Sequence, residues 1–103
     1  MGVEGYKPNI LLVDDKEDGL LALETVLKDL NYNLYKARSG KEALSLLLKT
    51  DFSVILLDVQ MPEMSGFETA TFIKKRDKTR NVPIIFVSGL EKDERFIAHG
   101  YES

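Results

Sequence analysis

The sequence predicts an α/β fold with a mostly parallel sheet, in a single domain of 103 residues. Continuous apolar runs at 10–13, 54–57 and 84–87 are typical of strands that helices cover on both faces. Between these runs lie segments whose apolar residues recur at helical spacing, so strands and helices alternate along the chain. Short connections between alternating elements predict right-handed crossovers and parallel strands.

The first part of the chain is expected to form two strands and a helix after a loose polar tail over 1–8. The first strand is predicted at 9–13, and a helix follows from 16 to about 30. Its apolar stripe consists of Leu20, Leu23, Val26, Leu27 and Leu30. Asn31 suits the end of a helix. Alternation of apolar and polar residues over 33–38 is typical of a strand at a sheet edge.

The second part is expected to supply three helices and two strands. Ser39 and Glu42 have the spacing of a capping box at the start of a helix. The apolar face of that helix is predicted to contain Ala43, Leu44, Leu47 and Leu48. A central strand runs to Asp58, and a helix from Gly66 to about Lys75 is predicted to bury Phe67, Ala70 and Ile73. A fourth strand follows at 83–87, and a weak helix from Glu91 to about His99.

Composition excludes several classes of function. Apolar residues make up 44% of the chain and charged residues 30%, as in ordinary soluble domains. A net charge of −3 without a basic patch argues against a nucleic-acid-binding surface. Absence of cysteine excludes disulfides and thiolate metal sites. The apolar runs are too short for a bilayer and no signal peptide is seen, so we expect a cytoplasmic protein without a membrane partner.

Polar side chains follow three of the predicted strands. Asp14, Asp15 and Asp58 come directly after two apolar runs, and Ser88 follows another. Sites in open α/β sheets form at the carboxyl ends of the strands, so neighbouring strands would bring the three carboxylates into one pocket. An oxygen-only donor set favours a hard cation, with Mg²⁺ first. Asp58 could then act as a nucleophile toward a phosphoryl group, with Ser88 donating a hydrogen bond to it.

Each of these features also has a simpler explanation. A single aspartate after a strand is usually a turn former or a helix cap. The pair Asp14 and Asp15 before a helix could serve only to complement the helix dipole. Ser88 with Gly89 alone would form a turn. Because they occur together at the ends of three strands, a phosphate and metal site is as well supported by the spacing as the simpler explanations, and both stay open.

Three segments carry a resemblance to a known family: 10–15 (ILLVDD), 54–66 (VILLDVQMPEMSG) and 82–89 (VPIIFVSG). Through them the chain resembles the receiver domain of two-component response regulators over essentially all of its length after Asn9. The resemblance implies a flavodoxin-like, doubly wound parallel sheet. Residues 9–103 would be the (βα)4 portion of a (βα)5 receiver fold.

The resemblance also implies a role for each site residue. Asp58 looks like the phospho-acceptor, which takes phosphate from the histidine of a partner sensor kinase or phosphotransfer protein. Asp15 and Asp58 look like Mg²⁺ ligands, with the backbone carbonyl of Gln60 as a third. Asp14 would join the acidic pocket, and Ser88 matches the hydroxyl that turns toward the phosphate. The chain is therefore expected to be a signalling switch and not an enzyme.

The chain departs from the family pattern at its end. The family continues with a fifth strand that ends in a Lys-Pro pair and with a fifth helix, whereas this chain stops at Ser103. We therefore expect a truncated receiver domain without the family lysine and without an output domain. Loss of that cation predicts slow or absent phosphorylation. The strand at 84–87 would become an exposed edge, which predicts a homodimer or strand exchange.

Two other classes of function remain open at this point. An aspartate-nucleophile phosphohydrolase resembles this arrangement, but it wants a second aspartate two residues after the nucleophile, where this chain has Gln60. A receiver-like module that only docks to partners, without phosphorylation, is the third possibility. His99 is interpreted as a surface or cap residue and not as a phosphorelay histidine.

Overall fold

The computed structural model of the chain describes residues 7–87 and the backbone of residues 98–101. Strands and helices alternate through most of this range. The elements are β1 (Asn9–Val13), α1 (Glu17–Leu27), β2 (Asn33–Ala37), α2 (Gly40–Lys49), β3 (Val54–Asp58), α3 (Gly66–Lys75), β4 (Ile84–Val87) and β5 (Ala98–Tyr101). Within the described part, no helix combines the length and the apolar composition that a membrane span requires.

The strands form one sheet in the order β2-β1-β3-β4-β5. The first four strands pair in parallel, which confirms the predicted fold class. β1 and β3 are neighbours in the middle of the sheet, with Val13 opposite Leu57. The two strands that end in aspartates therefore lie side by side.

A fifth strand covers the edge of β4, contrary to expectation. β5 pairs antiparallel with β4, and His99 is the register partner of Phe86. The prediction of an uncovered edge at 84–87 is therefore wrong, because β5 satisfies the backbone groups that such an edge would expose. The predicted helix is also wrong at Ala98 and His99, which belong to this strand. The remainder of that helix, 91–97, lies outside the described residues.

Helices cover the two faces of the sheet and form two separate apolar clusters. The larger cluster joins alternate strand residues such as Leu11 and Ile55 to α2 and α3. The smaller one joins Ile10 and Leu12 of β1 to α1. Successive residues of a strand point to opposite faces, so a strand with both faces covered is apolar throughout. This arrangement explains the continuous apolar runs in the sequence.

The helical stripes are narrower than predicted. In α1, Leu20 and Leu23 are buried, but Val26 is 62% exposed and Leu30 lies beyond the last residue of the helix. Leu48 of α2 is 61% exposed, and Phe67 of α3 is 56% exposed. A helix presents only one stripe to the sheet, and Val26 and Leu48 lie outside that stripe. Phe67 lies at its margin, with its ring centroid 4.7 Å from that of Phe86 in β4.

The N-terminus of α2 carries half of the predicted capping box. Ser39 Oγ accepts a hydrogen bond from the Glu42 amide at 3.0 Å, as expected. The Glu42 carboxylate, however, accepts from the amide of Arg38 at 2.7 Å and not from that of Ser39. A complete box stabilises α3 instead, where Ser65 and Glu68 cap each other reciprocally.

Candidate functional site

Three carboxylates meet at the carboxyl ends of β1 and β3. Asp14, Asp15 and Asp58 each offer one oxygen, and these oxygens lie within 4.8 Å of one another. Asp14 is 1% exposed and Asp58 is 4% exposed, whereas the side chain of Asp15 is 22% exposed. The expectation that neighbouring strands would join the three aspartates is confirmed.

Asp14 is fixed by hydrogen bonds at its backbone and at its side chain. Its backbone amide donates to the carbonyl of Ala37 at 3.1 Å, which continues the pairing with β2. Its Oδ1 accepts a hydrogen bond from the amide of Lys16 at 3.0 Å. Gly19, in the first turn of α1, lies directly against this carboxylate. Asp14 therefore closes the turn that leads into α1.

Asp15 has one carboxylate oxygen turned inward and one turned toward solvent. Its buried Oδ1 accepts no hydrogen bond from any residue in the described part of the chain. Its Oδ2 lies 4.0 Å from Nζ of Lys16, a side chain that is 72% exposed. The backbone carbonyl of Asp15 accepts two hydrogen bonds from the guanidinium of Arg38. The backbone is thus fixed while one buried oxygen retains a lone pair for a ligand.

Asp58 is the last residue of β3, and the N-terminus of α3 packs against it. The amide of Gly66 donates to the carbonyl of Val59 at 2.9 Å. A Cβ on Gly66 would collide with the backbone carbonyl of Asp58 and with Cα of Val59. Only glycine permits this approach, so the loop between β3 and α3 is closed directly beside the acidic cluster.

The loop after Asp58 forms an open rim next to the cluster. A shallow depression there is lined by Asp15, Lys16, Val59, Gln60, Met61, Pro62, Ser65 and Phe67. The Gln60 side chain is exposed on this rim. Glu63 adopts a left-handed backbone with φ of 66°, which is uncommon for a residue other than glycine. The amide of Met64 donates to the carbonyl of Pro62 at 2.7 Å, so the loop turns tightly.

The predicted site residues differ in how the structure treats them. Asp14, Asp15 and Asp58 are brought together, and Gln60 lies on the adjacent rim. Ser88, the predicted hydroxyl donor, lies outside the described residues.

Two residues at the site escaped sequence reasoning. Arg38 follows an edge strand, where an exposed arginine is common and gives no signal. Gly19 interrupts an otherwise regular helical pattern, and an isolated glycine in such a pattern is a signal of close packing.

The donor set fits a hard divalent cation. It consists of carboxylate oxygens only, two of the three side chains are buried, and Asp15 Oδ1 retains an unused lone pair. Like charges at this separation repel, and a cation relieves the repulsion. Mg²⁺ is bound in this manner by one or two carboxylates together with water and phosphate oxygens. The residues present therefore suit Mg²⁺.

Comparison with known sequences points to one family. The chain matches the family model described as "Response regulator receiver domain" over residues 10–102. It is 31% identical over 94 residues to the polar-differentiation response regulator DivK of Brucella ovis. That match covers 89% of this chain and 76% of DivK. It is 40% identical over 85 residues to a Vibrio cholerae protein named "Probable cyclic di-GMP phosphodiesterase". That match covers 82% of this chain but only 19% of the relative.

Solved structures agree with the sequence matches. The chemotaxis response regulator CheY4 of Vibrio cholerae superposes with a TM-score of 0.77 at 30% identity, covering 86% of this chain and 74% of that one. The N-terminal domain of a response regulator receiver protein from Methanoculleus marisnigri superposes with a TM-score of 0.76 at 34% identity, covering 84% and 72%. The similarity thus extends over most of both chains.

Proposed function

This chain belongs to the family of response regulator receiver domains, and on that premise we propose that it is a signalling switch whose Asp58 accepts a phosphoryl group. One observation carries the proposal: Asp58 ends a central strand, is 4% exposed, and offers an oxygen within 4.8 Å of those of Asp14 and Asp15. Carboxylates can form aspartyl-phosphate intermediates. The donor we propose is a histidine of a sensor kinase or phosphotransfer protein. We place this receiver domain in the cytoplasm.

The transfer is a substitution at phosphorus. A carboxylate oxygen of Asp58 forms a bond to the phosphorus, the bond between phosphorus and the donor nitrogen breaks, and its electron pair stays on the imidazole. Two negative groups must approach each other in this step, since phosphate and carboxylate repel. Mg²⁺, when bound, neutralises part of that charge. We propose that Asp15, Asp58 and the backbone carbonyl of Gln60 hold it, with Asp14 completing the acidic pocket.

Two further residues have proposed roles in the response. The hydroxyl of Ser88 would donate a hydrogen bond to the new phosphate, and the exposed side chain of Gln60 would influence the access of water to it. Phosphorylation adds about −1.5 to −2 charges and three acceptor oxygens. A local change of that size can bias a two-state loop and pass the signal to a partner.

Other functions receive less support. The activity in the name of the Vibrio cholerae relative belongs to a protein of which this chain spans 19%, so it does not transfer to the chain. A phosphohydrolase would want a carboxylate at the exposed position of Gln60. A docking module without phosphorylation makes no use of three clustered carboxylates, and the test below separates it from the proposed switch.

Intact-mass spectrometry after incubation with acetyl phosphate and Mg²⁺ tests the proposal. The incubation is prolonged because slow transfer is expected from the sequence. We expect one phosphoryl adduct that accumulates slowly on the unmodified chain and none on Asp58→Asn. Asp51→Asn is the matched control, because Asp51 lies just before β3 and its side chain is 92% exposed; this variant should be phosphorylated like the unmodified chain. An equal adduct on Asp58→Asn would overturn the assignment of Asp58. No adduct on any of the three after prolonged incubation would overturn the proposed phosphorylation and would favour the docking module.

A further inference from the structure

Gly19 occupies an unusual place beneath the acidic cluster. It is the third residue of α1 and is buried. A Cβ built on Gly19 would overlap Oδ2 of Asp14, and would lie 2.6 Å from its Cγ and 3.1 Å from its Oδ1. The carboxylate therefore fills the volume that any side chain at this position would need.

The Asp14 side chain has little freedom to move away. It is 1% exposed and joined to the chain by a single methylene. Its Oδ1 is bound by the amide of Lys16, and the carbonyl of Lys16 accepts from the amide of Gly19 at 3.1 Å. Hydrogen bonds through Lys16 thus link the Asp14 carboxylate to the first turn of α1. Displacing the carboxylate would break the hydrogen bond to Lys16 and shift it relative to Asp15 and Asp58.

Glycine is otherwise unfavourable in a helix. Relative to alanine it raises the unfolding equilibrium constant roughly two- to fivefold. A substitution to alanine would therefore stabilise α1 if Gly19 had no tertiary role. The contact with Asp14 predicts the opposite sign, because extra atoms in a packed site raise that constant by about five- to 150-fold.

We infer that Gly19 is a positioning residue, whose missing side chain allows the Asp14 carboxylate to lie beside Asp15 and Asp58. Through Asp14 it controls how the cluster binds a divalent cation; this second part rests on the proposed function. Residues behind the ligands of a metal site commonly change affinity about 10–100-fold when mutated. Gly19 acts on the cluster in this indirect way.

A double-mutant cycle in urea, without divalent cations, tests the contact. We expect Gly19→Ala to raise the unfolding equilibrium constant about tenfold in the unmodified chain and to lower it about two- to fivefold in the Asp14→Ala background. If Gly19→Ala alone fails to fold, Gly19→Ala combined with Asp14→Ala must restore folding. Equal effects of Gly19→Ala in both backgrounds would overturn the inference.

Binding of Mn²⁺, followed by calorimetry, tests the consequence for the cluster. We expect Gly19→Ala to weaken Mn²⁺ binding about tenfold. Ala22→Gly is the matched control, since it destabilises the same helix without approaching Asp14; its affinity should stay within about twofold of the unmodified chain. Equal weakening by both variants would overturn the positioning role. If the unmodified chain binds no Mn²⁺, the cation part of the proposed function fails, while the cycle in urea still decides whether Gly19 positions Asp14.

Discussion

The guanidinium of Arg38 donates two hydrogen bonds to the backbone carbonyl of Asp15, from Nε at 3.1 Å and from Nη2 at 3.0 Å. Its Nη1 lies 3.7 Å from a carboxylate oxygen of Glu17. Arg38 follows β2 directly, so this pair of bonds ties the end of an edge strand to the connection between β1 and α1. The carboxylate of Asp15 is thereby presented to the cluster on a fixed backbone.

Loss of this clamp should weaken both the fold and the site. We expect Arg38→Ala to lower the free energy of unfolding by about 1 kcal/mol, measured by urea denaturation. Mn²⁺ affinity should fall in the same variant, because the Asp15 backbone is released. Arg38→Lys should not restore either property, since an ammonium lacks the planar fork of donors.

Lys36→Ala is the control for the Arg38 variants. Lys36 lies in β2, the strand that Arg38 follows, and its ammonium lies 3.3 Å from the carboxylate of Glu24 on the surface. An exposed pair of this kind contributes roughly 0–1 kcal/mol and lies away from the carboxylates. Equal loss of Mn²⁺ affinity in Lys36→Ala and Arg38→Ala would show that Arg38 has no specific effect on the site.

Gly66→Ala should destabilise the chain although alanine is the better helix former. The added Cβ would meet the backbone carbonyl of Asp58 and Cα of Val59, which cannot rotate away as a flexible side chain could. We expect a loss of about 1–3 kcal/mol in the free energy of unfolding. A gain in stability would contradict the close approach of α3 to β3.

The complete capping box of α3 provides a further prediction. Ser65→Ala removes the acceptor for the Glu68 amide and should lower the free energy of unfolding by about 1 kcal/mol. Ser45→Ala is the control, because Ser45 is exposed within α2, where alanine is favourable. A similar loss in both variants would contradict the importance of the cap.

Two adjacent leucines of α2 test how wide the buried face of this helix is. Leu47 is 1% exposed in the larger apolar cluster, whereas Leu48 is 61% exposed. Leu47→Ala should cost about 2–5 kcal/mol of unfolding free energy, and Leu48→Ala about 0.5 kcal/mol or less. Chemical denaturation of the two variants measures the difference. Comparable losses would support the wider apolar face that the sequence pattern predicted.

Much of the fold and the clustering of the three aspartates could be predicted from the sequence, because both depend on local patterns of residues. The continuous apolar run that ends in Asp58 is typical of a strand with both faces covered, so the strand could be predicted without knowing its neighbours. Asp14 and Asp15 likewise follow an apolar run, which is β1. The acidic cluster then required only that β1 and β3 be neighbours. The helix from Gly66 to Lys75 has the predicted bounds, and its cap is likewise a local feature.

Tertiary structure alone decided the remaining features, because they join residues that are distant along the chain. Whether Leu48 or Leu47 is buried depends on how α2 rotates over the sheet, and the periodic pattern admits both. Pairing of β5 with β4 depends on an edge that no local signal marks. Arg38 reaches Asp15 only because β2 lies beside β1. Local patterns in the chain thus specify which residues can form strands, helices and a carboxylate site, whereas packing between distant elements specifies which side chains hold that site in place.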